Sequence, residues 1–279
     1  MTEYEFVGDA NSFATGPQSD PVWDAALEHR GTITVMLAQL AEQGVKTICV
    51  LGAGPCNDID VKVLCSVFQQ VTLVDIDEKT LSAGVAKQKA SGLANLKLLG
   101  NVDLFGASDA LDEFQQSKDD SLIDPILDAV SQHKVPELGT YDCVVSTCLL
   151  SQLLWSVTKS VGESHPRFVD VLVETRLRHL KLTHSALNVG GHGLLVTDIV
   201  SSDSLPDLLN DGIDLKETLR VAINEKNFLH GLNPLAITNT FAGEEFAGAL
   251  SSVGVSAPWR WAAPVRTYLC FAIKFVRSK

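Results

Sequence analysis

An α/β fold with a doubly wound, mostly parallel sheet is what this sequence predicts, and three observations predict it. Short, unbroken apolar runs rich in β-branched residues recur along the chain, Thr47–Leu51 being the clearest. They lack polar alternation, as strands covered on both faces do. Helical segments separate them, the connection that parallel neighbours require. Finally, a glycine-bearing loop, Val50-Leu51-Gly52-Ala53-Gly54-Pro55-Cys56-Asn57-Asp58, stands directly between one such run and the next helical segment.

The elements follow in order. Residues 1–20 are rich in Gly, Ser, Asn, Asp and Pro, with isolated Tyr4, Phe6 and Phe13, which predicts irregular structure docked through its rings. From Pro21 the apolar spacing is helical, interrupted near Gly31 and ending at Gly44, so residues 1–44 form an N-terminal cap segment with one or two helices. Strand 47–51 opens the main unit, 45–279. After it come helix 58–69, strand 71–75, helix 78–91, strand 96–99, a long helical stretch 107–133 and strand 141–146. A helix at about 167–187 ends at Gly190-Gly191 and feeds strand 193–199. A helix at 243–253 precedes two antiparallel strands, 255–261 and 267–276, turned at Pro264. The segments 148–166 and 201–240 exceed what this topology needs, and additions at a sheet's carboxyl edge commonly act as substrate lids.

The 279 residues are 46% hydrophobic and 20% charged, enough to pack a large core. Asp and Glu outnumber Lys and Arg by 34 to 22, a formal charge of −12, so a nucleic acid would meet a repulsive field and is not expected as a partner. Neither a secretory leader nor a membrane span is legible, and a cytoplasmic protein is expected. The six cysteines form no C-x-x-C pair and sit mostly in apolar runs, which predicts reduced core thiols.

Glycines at the end of a first strand let the backbone turn tightly and approach a ligand, so Gly52 and Gly54 are the first candidate binding residues. Val71-Thr72-Leu73-Val74-Asp75 then ends the second strand with an acid, 75 − 54 = 21 residues past the second glycine. That is near the roughly 20 expected of a carboxylate accepting ribose hydroxyls. Asp77 is expected to cap the next helix. The dinucleotide fingerprint asks for glycine where Asn57 stands, which disfavours a nicotinamide enzyme. Asp58 opens the next helix, either as an ordinary first-turn acid or close to a ligand cation.

Asn101-Val102-Asp103-Leu104-Phe105 after the third strand and Tyr141-Asp142-Cys143-Val144-Val145 in the fourth complete the set. With these four elements in order, residues 46–147 resemble the class I S-adenosylmethionine-dependent methyltransferases. The resemblance implies a Rossmann-like seven-stranded sheet closed by a C-terminal antiparallel hairpin, with S-adenosylmethionine as cofactor. It makes Gly52, Ala53, Gly54, Asp58 and Ile76 cofactor-binding residues and places Asp75 on the ribose. Asp103 would accept the adenine amino group between Val102 and Leu104, with Ser146 and Thr147 at the fourth strand's edge. Cys56 replaces the family's usual third loop glycine, and no [DNS]-P-P-[YF] motif follows the fourth strand.

The expected reaction is methyl transfer to a neutral or cationic small molecule, where positioning supplies most of the catalysis and a base is needed only for a protonated nucleophile. His165 and His230, in the two added segments, are the candidate bases. Cys148 reads as a packed thiol rather than a nucleophile, and Trp259 and Trp261 as neighbours on one strand face rather than a cation cage. The histidines show no metal-ligand spacing, so no metal is expected. An aminopropyl or aminocarboxypropyl transferase on the same fold is one alternative; a catalytically silent nucleoside-binding protein is another. A homodimer is compatible with either.

Overall fold

The computed structural model describes residues 20–132 and 136–279. The segment carrying Tyr4, Phe6 and Phe13, expected to cover the site, lies outside the described residues. Two helices open the chain, α1 (Pro21–Ala25) and α2 (Leu27–Glu42). The winding follows: β1 (Thr47–Leu51), α3 (Val61–Val67), β2 (Gln70–Val74), α4 (Glu78–Lys87), β3 (Leu96–Leu99), α5 (Ser108–Ser117), α6 (Ile123–Ser131), β4 (Tyr141–Thr147), α7 (Leu149–Val161), α8 (Phe168–Ser185) and β5 (Leu187–Ser201). The chain ends with α9 (Leu215–Asn224), α10 (Pro234–Ala242), β6 (Leu250–Val255), β7 (Trp259–Ala262) and β8 (Thr267–Arg277).

All these strands join one sheet in the order β3-β2-β1-β4-β5-β8-β6, with β7 also paired to β8. Strands β1 to β5 run parallel, and β8 inserts antiparallel between β5 and the pair β6 and β7. This is the doubly wound, Rossmann-like sheet with antiparallel C-terminal strands. One core packs α5 to α8 on one face; the other packs α2, α3 and α4 on the opposite face. The carboxyl ends of β1 to β5 therefore share one edge, and the strand order reverses between β1 and β4, where such sheets open a crevice. Among the described residues no helix is long and apolar enough to cross a membrane.

Several boundaries differ from expectation for identifiable reasons. The expected helix at 243–253 is a 3-10 turn, Glu244–Phe246, followed by β6. Leu250–Val255 pairs along the free edge of β8, and ladder hydrogen bonds outweigh the weak helical pattern of Ser251-Ser252-Val253-Gly254. The strand expected at 255–261 is split at 256–258, so the sheet has eight strands where seven were expected.

The stretch 107–133 breaks at Lys118, which takes a left-handed conformation (φ 53°), and α6 restarts with Pro125 in its first turn, where its missing N–H costs nothing. The break between α1 and α2 falls at Ala26, not Gly31. Gly190 and Gly191 do not end α8 but lie inside β5, where its register with β4 shifts; a Cβ on Gly191 would stand 2.8 Å from the Asn188 carbonyl oxygen.

Candidate functional site

The β1 loop is held by the second strand. Gly52 and Ala53 donate their N–H groups to the Val74 carbonyl at 2.9 and 3.1 Å. Gly52 and Gly54 have φ of 69° and 48°, and Cys56 keeps φ 57°. The backbone is thus left-handed at Cys56, a conformation that glycine adopts more easily. Gly52 is also sterically required, because a Cβ there would lie 2.8 Å from Leu149 at the start of α7.

Gly54 donates its N–H to Asp75 Oδ2 at 2.7 Å, and Asp77 N–H donates to Asp75 Oδ1 at 2.9 Å. Asp77 itself caps α4 through the N–H groups of Lys79 and Thr80. The two acids thus divide their work. Each Asp75 oxygen accepts one bond from these two donors, which leaves lone pairs for further donors. A Cβ on Gly54 would meet nothing nearer than Asp75 Oδ2 at 3.9 Å, and Ile76 beside it is 53% exposed. A half-exposed carboxylate, open backbone at Gly54 and an unpartnered apolar side chain fit the ribose and base of a nucleoside.

Asp103 is engaged more locally. Its carboxylate accepts from the N–H groups of Phe105, Gly106 and Ser108 and from the Ser108 hydroxyl, tying the turn into α5. Val102 is half-buried, whereas Leu104 is buried in the core. Ser146 and Thr147 are buried as well, and the Ser146 hydroxyl pairs with His179 Nε2 at 2.8 Å. Both side chains belong to the core rather than to the open edge.

Next to the loop, α2 brings His29 into a cluster that sequence reasoning missed. His29 has no exposed surface, stacks on Trp261 with centroids 4.6 Å apart, and accepts the Trp259 indole N–H on Nδ1 at 3.0 Å. An indole can only donate, so the neutral ring carries its proton on Nε2. That atom lies 3.6 Å from Asp58 Oδ1 and 3.9 Å from Cys148 Sγ. These three ligand-type atoms sit within 4.8 Å of one another, but Nε2–H offers no lone pair to a cation while Trp259 occupies Nδ1. The arrangement is a hydrogen-bonding cluster. Burial and the neighbouring Arg30 push His29 down to about 3, and burial and the charge of Asp198 push Asp58 up to about 7. The pair is therefore not ionic near neutrality. Arg30 stacks on Trp23 at 3.5 Å and donates to the carbonyls of Trp23 and Asn57.

Beyond Cys148 a cavity of about 240 Å³ opens. Its floor is the carboxyl edge of β4 and β5, with Cys148, Asp198 and Ser201; Ser151 and Trp155 of α7 form one wall. Phe228, Leu229 and His230 of the second added segment, with Trp261, Arg266 and Tyr268, complete it. Both added segments, 148–166 and 201–240, thus meet over one space. Of the two histidine candidates, His230 lines the cavity and pairs with Glu163 at 2.9 Å. His165 instead faces Asp120 at 3.4 Å, outside the residues that line the cavity.

Asp198 was also missed. It is 6% exposed, sits where β5 bulges against β8 between Asp198 and Val200, and is pushed up by burial, with the Ser151 hydroxyl holding part of that rise back. The available signals were a lone acid inside the apolar run Leu194–Val200, and a histidine four residues before Ile33 and eight before Leu37 on the buried stripe of α2.

The thiols follow the core reading. Burial pushes Cys49 and Cys56 up to about 12. A hydrogen bond with Cys270, then burial and the nearby Asp58, lift Cys148 well above the ordinary thiol range. Low thiolate content means low reactivity. At pH 8 a thiol reagent is expected to label half-buried Cys65 first, with the buried cysteines following only in denaturant; rapid native-state labelling of Cys148, read by peptide mass spectrometry, would contradict this.

No family model matches the chain, and no curated protein does. Among solved structures it is similar to the N-methyltransferase NodS from Bradyrhizobium japonicum WM9 in complex with S-adenosyl-L-homocysteine. The identity is 9% over 93% of this chain and 100% of that one, with a TM-score of 0.47. It is similar also to magnesium protoporphyrin IX methyltransferase (ChlM) from Synechocystis PCC 6803 with bound S-adenosylhomocysteine, at 13% identity over 95% and 90% of the two chains and a TM-score of 0.46. A third is the YcgJ protein from Bacillus subtilis, at 10% identity, 89% and 99% coverage and a TM-score of 0.47. Likenesses this distant assign no role to any residue of this chain.

Proposed function

We propose that this chain is a class I S-adenosylmethionine-dependent methyltransferase acting on a small molecule. One observation carries the reading. The positive-φ glycine loop and the β2 acid are locked together by Gly54 N–H and Asp75 Oδ2 at 2.7 Å, and Cys148, which lines the cavity beneath the two added segments, stands 3.9 Å from His29, the neighbour of Asp58 in that loop. Asp75, Gly54 and Ile76 would hold the nucleoside. Asp58, half-buried beside neutral His29, would face the cationic end of the cofactor, since a carboxyl kept partly protonated by desolvation gains most from a neighbouring positive charge.

When bound, the cofactor supplies an electrophilic methyl group on a leaving group that already favours departure. The protein's own share is alignment and exclusion of water. The tautomer of His29, held by Trp259, fixes a donor toward Asp58 and Cys148, and the aromatic rings Trp261, Tyr268, Trp155 and Phe228 confine an acceptor in the cavity. At about 240 Å³ it is smaller than the roughly 300–1,000 Å³ usual for drug-sized ligands, which favours a small acceptor over a polymer.

Titration calorimetry tests the reading. S-adenosylmethionine and S-adenosylhomocysteine are expected to bind at micromolar or better affinity and NAD not at all. Micromolar NAD binding with no heat from either sulfur nucleoside overturns it.

A further inference from the structure

The cavity contains an acid with no opposite charge of its own. Around the rim Glu163 pairs with His230 at 2.9 Å and Arg266 with Asp203 at 2.9 Å, and Lys226 adds a cation. At the inner end Asp198 forms no ion pair among the described residues. Its neighbours there are the Ser151 hydroxyl, the Cys148 and Cys270 thiols and the ring of Tyr268, and Trp261 closes the same space. The Trp261 indole N–H is buried without a hydrogen-bond partner.

Burying a carboxyl costs several kcal/mol unless it is paired, hydrogen-bonded or neutral. Perturbed acids concentrate in the clefts where ligands bind. A second acid, the half-buried Asp58 of the β1 loop, also stands near Cys148, and both acids act electrostatically on that thiol. The molecule thus offers two carboxyl groups near Cys148, one beside the proposed cofactor and one lining the cavity.

We infer that the acceptor is a small amine and that Asp198 is the residue that binds its ammonium group. This rests on the methyltransferase reading only for the name of the reaction; the ammonium site itself rests on the cavity. The ammonium N–H donates to the Asp198 carboxylate, while Trp261, Tyr268 and Trp155 enclose the carbon skeleton and present ring faces that attract a cation. An ammonium has no lone pair and must lose a proton before it can attack. Asp198 can take it: the N–H bond breaks, an O–H bond forms on the carboxyl, and the electron pair stays on nitrogen. The charges, −1 on the acid and +1 on the amine, cancel in that step. The Ser151 hydroxyl beside it donates to the Cys148 carbonyl at 2.9 Å and accepts from the carboxyl once Asp198 carries the proton.

The test compares matched probes at pH 7.5 by calorimetry, with and without S-adenosylhomocysteine. Benzylamine, 3-phenylpropylamine and cyclohexylmethylamine are each set beside the alcohol of the same skeleton. At least one amine is expected to bind tenfold or more tightly than its alcohol, and Asp198→Asn is expected to level the two. Amines and alcohols that bind equally in the wild-type protein, or bind not at all, overturn the proposal. So does a folded Asp198→Asn protein that keeps the preference. The wild-type comparison stands even if the variant does not fold. If S-adenosylhomocysteine fails to bind while the amine preference is present, the methyltransferase reading falls and the ammonium site remains; the opposite outcome removes only the site.

Discussion

At pH 8 the Asp58→Asn protein is expected to be more stable than the wild type by as much as about 4 kcal/mol, and to bind S-adenosylhomocysteine at least tenfold more weakly. Asp58 titrates at about 7 in the folded chain against an ordinary 3.8. Between pH 4 and 7 the folded protein keeps a proton that the unfolded chain has lost. Stability contributed by that proton is therefore present below pH 4, falls as pH rises through this window, and is gone above about pH 7. Three units at about 1.4 kcal/mol each set the upper size of the effect.

Asparagine does not titrate, so the difference between variant and wild type should grow with pH over this window and then level off. Urea unfolding at pH 4, 6 and 8 measures it. A difference independent of pH would mean that Asp58 is not a destabilised acid. The affinity loss has the opposite sign because the proposed cofactor's cation is what rewards the ionised carboxyl. A residue with a merely structural role would lose stability and affinity together.

Asp75→Ala carries the second large effect. The carboxylate accepts from Gly54 N–H and Asp77 N–H, and under the proposed function its spare lone pairs accept the ribose hydroxyls. Charge-assisted hydrogen bonds contribute about 1.5–3 kcal/mol each, so the dissociation constant for S-adenosylhomocysteine should rise by at least tenfold. Stability should drop by only about 1 kcal/mol, since the Asp77 N–H is exposed and can turn to water. Calorimetry on a variant shown folded by circular dichroism decides it. An unchanged dissociation constant would confine Asp75 to the glycine loop and the α4 turn.

The two histidines buried as neutral rings set the acid limit in the other direction. His29 titrates at about 3 and His179 at about 4 in the folded chain, each pushed down by burial. Below the ordinary value of 6.5 the unfolded chain takes protons that the folded chain refuses, so the stability they allow is lost as pH falls. Two such rings outweigh the single acid Asp58 below pH 6.5, so the balance of these three groups is best near pH 6.5 and falls off toward acid.

The parallel strands were legible because each is a short apolar run bounded by turn residues, and β1 and β3 coincide with their expected limits. The capping of α4 by Asp77 was legible for the same local reason, an acid at a strand-to-helix turn. Where pattern was weak, as at 243–253, pairing with β8 decided the structure. His230 and His165 looked equivalent in sequence because both lie in added segments; the packing of α7 against the 226–232 segment brought only His230 to the cavity.

By itself, then, the sequence determined what depends on neighbours a few residues away: the strand and helix order, the glycine loop, the caps and the acidic surface. Only the tertiary structure decided which charged groups are buried. His29 and Trp259 meet across 230 residues and His29 and Cys148 across 119, and Asp198 faces the cavity because β5 bulges against β8. Burial and charge pairing depend on what stands within a few ångströms, and no local period or propensity encodes which distant element arrives there.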